Sequence, residues 1–457
     1  MSNSVQSVGE LSEFAEGHEI ALRPPLPQKI MRSISATPAI TDFSAKTREI
    51  LQDFANVTMT ADAGKIADLW LHHYSSLTGA RGLFCVKEQR YDKPDLPENR
   101  DFGGRGFLLS WMASKRLLLV QNCERERDRR YSAPIFCDSN FVSYCEAFCG
   151  QRNLSQNSDA FQRAVEYLLP MAEVTSPFPY MLENAESPDR EKVRATLRAF
   201  AAFKLTSPEY FASHGRFLTA RDKLTADDIA DGCLEVMGKA DFRTLHTWVK
   251  DHYLWSRIVL IKAALLFFEG RCRETETLFL ELLKFLQDEL GRLPQFEIYA
   301  AHRFFLLSSR ESFFSPVQQN AMDLDRKIRS MAWDLAHWRS LFEMLPIGAS
   351  FVGAIPFPIP HFLSFDRGFM KLTETLQLSG LIYAADGRHS EHIYSEALWR
   401  PVADLLGGER RQLCTEEAIR DRKRRNRNDG ALDKRLVQSE ATLTGLLNEA
   451  FPRSEGA

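Results

Sequence analysis

The chain has no long unbroken apolar run. The longest, Ile258–Phe268, is interrupted by Lys262. It is too short to span a bilayer, so a buried helix and no membrane partner are expected. Excess charge of either sign is also small, with a net charge of −3. That excludes a surface that coats nucleic acid indiscriminately but leaves room for a local basic groove. The eight cysteines lack a compact disulfide spacing. With no signal-peptide pattern, reduced thiols in a cytoplasmic protein are expected. Cys145 and Cys149 have no second Cys or His pair at zinc-finger spacing. Gly103-Gly104-Arg105-Gly106 lacks a Walker-type Gly-Lys-Ser/Thr ending and reads as a turn, and no Gly-x-Ser-x-Gly elbow occurs. No repeat of fixed period is visible, which argues against a solenoid.

The composition is 44% hydrophobic and 26% charged over 457 residues. That is the balance of a globular protein with at least one large core. Residues 1–45 are rich in Ser and Pro and read as a flexible arm. Residues 46–130 read as an N-terminal accessory region that ends in the charged stretch 123–130. Residues 131–400 alternate short apolar runs with helical periods, the pattern of a sheet with helices on its faces. Within them, about 190–320 is almost wholly helical in pattern. Residues 401–457 read as a helical, partly basic tail.

Four segments place a carboxylate in or beside apolar residues: Ile135-Phe-Cys-Asp138-Ser139-Asn140, Pro179-Tyr-Met-Leu-Glu183-Asn184, Ala332-Trp-Asp334-Leu-Ala336 and Phe362-Leu-Ser364-Phe-Asp366. A buried carboxylate is costly unless paired, protonated or bound to a metal. Asp138 and Asp366 each close a predicted strand, at the end where parallel sheets bind ligands. Asp323 and Asp325 compete with Asp334 for the third place. Taken singly, Asp138 and Asp366 are better explained as helix caps, and Glu183 and Asp334 are as well explained as acids on solvent-facing helix sides.

As an ordered set, these segments resemble the PIN-like nuclease family. Asp138-Ser139-Asn140 is similar to its opening Asp-Thr/Ser-Asn, Glu183 to its helical acid, Asp334 to its third acid, and Ser364-Phe-Asp366 to its closing Thr/Ser-x-Asp. The resemblance implies a mainly helical α/β protein. Its short, central, parallel sheet would lie in a three-layer PIN-like core, with a large helical insertion between Glu183 and Asp334. It also implies a Mg²⁺- or Mn²⁺-dependent endoribonuclease acting on RNA, with a bacterial toxin or defence role as a guess from the family. Asp138, Glu183, Asp334 and Asp366 would hold the metal, with Ser139, Asn140 and Ser364 in support. A homo-oligomer or a protein regulator is left open. Two other readings stay open: a degenerate PIN-like module that binds RNA or protein without cutting, and a helical interaction scaffold.

Three expectations follow. The insertion, about 190–320, should form a helical layer or lid near the rim of the site. Asp138→Asn should remove cleavage but spare the fold, because relief of carboxylate repulsion offsets the lost hydrogen bonds. The densest basic run, with Arg422, Lys423, Arg424, Arg425 and Arg427, should be either a solvated, partly helical tail or an arm that contacts phosphate.

Overall fold

Ile135-Phe136-Cys137 is buried on both faces, at 0, 2 and 0% exposure. A strand with apolar residues in succession fits only the middle of a covered sheet. The computed structural model places it there. It describes residues 63–73, 80–86, 97–110, 116–121, 131–270, 274–290, 294–318, 323–349, 357–375, 378–384 and 390–394, with a few isolated positions besides. The basic run at 422–427 lies outside the described residues.

In chain order, β1 (Arg100–Asp101) and β2 (Phe107–Leu109) form a hairpin. β3 (Ile135–Cys137) leads into α1 (Ser139–Cys149), followed by α2 (Ser158–Leu168). β4 (Thr175–Ser176) leads into α3 (Phe178–Glu183), whose first turn is fixed by Pro177 and Pro179. Then come α4 (Arg190–Leu205), α5 (Ala226–Gly238), α6 (Ala240–Glu269), α7 (Gln295–Leu307) and α8 (Leu324–Ala349). β5 (His361–Ser364) and α9 (Arg367–Thr375) complete the site region.

The chain is mainly helical around this sheet, whose order is β1-β2-β5-β3-β4. The sheet is mixed rather than wholly parallel. β5, β3 and β4 run parallel, while β2 lies antiparallel to β5. The parallel half is the part legible as strand-then-helix units. The antiparallel half comes from residues before the charged stretch 123–130, which therefore does not separate two bodies in space. A further strand, Leu378–Ala384, joins a different sheet. There it pairs antiparallel with Ala80–Val86 and Ser390–Tyr394.

The lid expectation does not hold. In α6 every residue from Tyr253 to Ile261 is buried, as in a helix enclosed on all sides. It packs along α8, and its side chains belong to the same continuous core as those of the sheet. α4 packs on α1, where Phe203 meets the Phe141 ring at 5.5 Å. Removing 190–320 should therefore unfold the site, not uncover it.

One buried polar junction fixes α8. Glu297 of α7 is 0% exposed; it accepts from Ser256 Oγ of α6 at 2.7 Å and pairs with Arg339 of α8 at 3.4 Å. Removing one partner of a buried ion pair leaves an uncompensated charge. Arg339→Met should lower unfolding free energy by about 3–5 kcal/mol in urea titrations. A change below about 1 kcal/mol would show that the pair is solvated.

Candidate metal centre

Two of the four acids meet at adjacent strand ends. Cys137 faces Leu363 across the parallel β3–β5 pair, and the Asp138 N–H donates to Leu363 O at 2.9 Å. Asp138 and Asp366 therefore leave the same edge of the sheet from neighbouring strands. Each also caps the next helix. Phe141 N–H donates to Asp138 Oδ1 at 2.7 Å, and Phe369 N–H donates to Asp366 Oδ1 at 2.7 Å.

Capping uses one oxygen of each acid. The second oxygen of Asp138 accepts from Ser364 Oγ at 3.0 Å, from Phe365 N–H at 3.0 Å and from Asn140 Nδ2 at 3.3 Å. Ser364 Oγ in turn accepts from Asp366 N–H at 3.1 Å, so one hydroxyl links the two acids. Asn140 and Ser364 thus support Asp138 as expected. Ser139 does not: its hydroxyl is buried and has no hydrogen-bond partner among the described residues.

This geometry adds a cost to Asp138→Asn. Both Asp138 oxygens accept from backbone N–H groups, Phe141 in the first turn of α1 and Phe365 just after β5. An asparagine would aim its NH₂ at one of them, donor against donor. A buried donor left unmade costs about 1–3 kcal/mol. That cost works against the relief of charge, so Asp138→Asn should stabilise less than Asp334→Asn at neutral pH, read by denaturant midpoint, and an equal or larger gain would contradict the assigned hydrogen bonds.

Asp334 is the centre of the cluster. It lies on α8 at 8% exposure and accepts no hydrogen bond among the described residues. Burial first, then the charges of Asp366, Asp138 and Glu183, push its carboxyl well above the ordinary range. All three other predicted acids thus act on this one. Burial also raises Asp366 and lifts Asp138 to about 6, against the hydrogen bonds that hold them down. The competing acids face elsewhere. Asp325 pairs with Arg257 and Arg329 at 2.8 and 2.9 Å, and Asp323 is 63% exposed.

Glu183 ends α3 and is 24% exposed. It has a partner that sequence reasoning missed. His337 Nε2 lies 2.9 Å from Glu183 Oε1, and the His337 side chain is 3% exposed. His337 follows Asp334 by three positions, so one helix face presents both; that spacing in Asp334-Leu-Ala-His337 was the available signal. The ring stacks on Trp333 at 5.3 Å, and Trp333 stacks on Tyr253 at 4.4 Å.

The donor set is all oxygen, which suits a hard cation, and Asp334 is a buried carboxylate with no donor to satisfy it. Among the described residues, however, no three His, Cys, Asp or Glu side chains stand where they could hold a metal ion together. The acids surround Asp334 at the range of charge–charge action, not as a ready cage of direct ligands. Mg²⁺ keeps several waters and commonly takes one or two protein carboxylates. Of the four acids, Asp334 alone is engaged by no hydrogen-bond donor among the described residues. No helix among the described residues is long and apolar enough to cross a membrane. No family model, curated protein or solved structure matches the chain.

Proposed function

We propose that the chain is a PIN-like endoribonuclease that hydrolyses phosphodiester bonds with Mg²⁺ or Mn²⁺ at Asp138, Glu183, Asp334 and Asp366. The observation that carries this reading is Asp334. It is a largely buried carboxylate that accepts no hydrogen bond among the described residues and lies within reach of the charges of Asp366, Asp138 and Glu183. Such a group is tolerable only with a proton or a cation beside it. When bound, a divalent cation supplies an acidified water and offsets charge on the phosphate.

The chain's own residues do the rest. Asp138 is held rigidly by four donors and fixes the floor of the site. Ser364 ties Asp138 to the Asp366 backbone, so the two acids keep a constant separation. His337 holds Glu183 in one rotamer beside Asp334. Preorganised groups of this kind do not have to reorganise as charge develops.

One observation favours a second reading, a PIN-like module that binds RNA without cutting. It is the absence of three acids in direct-ligand geometry among the described residues. Cleavage of RNA by the purified chain separates the two. The nuclease reading expects products with Mg²⁺ or Mn²⁺ and none in EDTA. An RNA left intact with either cation, by a chain that still binds it, would establish the non-cutting module instead.

A further inference from the structure

Four carboxylates repel a polyanion, so a site that acts on RNA needs positive charge at its rim. The basic run at 422–427 lies outside the described residues, but another source stands at the right edge of the sheet. The β1–β2 turn, Phe102–Gly106, joins β2 where Phe107 faces Ser364. That is the edge from which Asp138 and Asp366 emerge. The turn is pressed close: a Cβ on Gly106 would lie 2.8 Å from the Phe365 ring, so only glycine fits. Gly103 and Gly104 have φ of +85° and +79°, which glycine adopts at little cost. Phe102 N–H donates to Gly106 O at 2.7 Å, and Gly104 N–H donates to the Asp101 carboxylate. The loop is thus a fixed element and not a slack connector.

Guanidiniums gather around it. Arg105 lies in the turn and Arg100 in the strand before it, where its guanidinium sits 4.5 Å over the Tyr167 ring. Arg163 of α2 lies against Gly103, its Nη1 3.0 Å from where a Cβ would be. Arg367 follows Asp366 directly. All four are exposed, and among the described residues none has a carboxylate partner. Elsewhere Arg152, Arg194, Arg257, Arg303 and Arg339 are each paired with an acid. Uncommitted guanidiniums beside an acidic centre suit the phosphates on either side of a scissile bond, which they grip as planar forks.

We propose that Arg100, Arg105, Arg163 and Arg367, set around the β1–β2 turn, form a subsite for the phosphodiester backbone of a single-stranded nucleic acid beside the acids. This assignment rests on the nuclease reading for its substrate class. The test is fluorescence anisotropy with a short fluorescein-labelled single strand, as RNA and as DNA, in EDTA and over a series of salt concentrations. The substitutions are on exposed side chains, and the control pair is Arg216→Glu with Arg221→Glu. Arg216 adjoins Phe217, which packs at 4.8 Å on Phe148 near the far end of α1.

Arg105→Glu with Arg163→Glu should weaken binding about 10-fold or more and reduce the salt slope by about 1.4, the share of two phosphate contacts. The control pair should stay within about twofold of wild type. No binding by wild type, an unchanged slope in the Arg105/Arg163 variant, or an equal loss in the control pair would overturn the subsite. Binding that depends on this corner, with no cleavage in Mn²⁺, would leave the subsite standing and refute the nuclease reading. Cleavage that ignores the corner would do the reverse.

Discussion

Asp334→Asn is expected to abolish RNA cleavage and, in the same protein, to raise the melting temperature in EDTA at neutral pH. The two effects have one cause. Asp334 is buried without a donor, and three other carboxylates act on it. Ionising it costs folding free energy, and asparagine removes that charge at nearly constant shape. Stability should rise by about 2–4 °C for each kcal/mol relieved, if the chain responds like a mid-sized domain. Activity should fall by about 100-fold or more, the scale seen when one group that stabilises transition-state charge is removed. A purely structural Asp334 predicts the stability gain with cleavage intact. A carboxylate satisfied by an undescribed partner predicts the opposite stability change. The pair of measurements therefore discriminates where either alone would not.

The stabilisation produced by Mn²⁺ should grow steeply with pH. Asp138 is lifted from 3.8 to about 6, with Asp334 and Asp366 raised as well. A carboxyl whose folded pKa is raised holds its proton more tightly in the native state. It costs nothing at low pH, and stability is lost as pH rises from the unfolded value through the folded one. For Asp138 the window is about pH 4–6 and the cost about 3 kcal/mol. His246, His302 and His361 are held below their ordinary value by burial. They act in the opposite sense below about pH 6.5, so the total pH profile will not isolate the acids. The difference in melting temperature with and without Mn²⁺ does isolate them, because the cation competes only with protons at its own ligands. That difference should be small at pH 5, clear at pH 7 and larger at pH 8. Asp334→Asn should flatten it. A shift equal at all three pH values would place the cation on acids with ordinary pKa values, away from this cluster.

Much of the site was legible because its signals are local. Asp138 and Asp366 were readable as acids after short apolar runs, since a β-strand followed by a capped helix leaves that trace. The meeting of these elements was not readable from any one segment. It depends on β5 pairing with β3 across more than 200 positions, a contact with no local cost or reward. The same holds for β2, whose antiparallel place comes from tertiary pairing and made the sheet mixed. The apolar run of α6 announced a buried helix but not its place along α8. A helix buried on one broad face and one enclosed on all sides differ mainly in a few positions, such as Ser256 and Arg257, which find partners on α7 and α8. Ser139 resembled a supporting residue by its place after Asp138, yet its buried hydroxyl has no hydrogen-bond partner among the described residues. His337 was in plain sight three positions after Asp334, and only the fold of α3 against α8 gives it Glu183.

The central claim is that these four acids hold a divalent cation, and anomalous diffraction from crystals soaked in Mn²⁺ tests it most directly. The account predicts an anomalous peak bounded by Asp138, Glu183, Asp334 and Asp366, in direct contact with Asp334 and lost in Asp334→Asn crystals. A wild-type map with no peak there at saturating Mn²⁺, or with peaks only elsewhere, would contradict it.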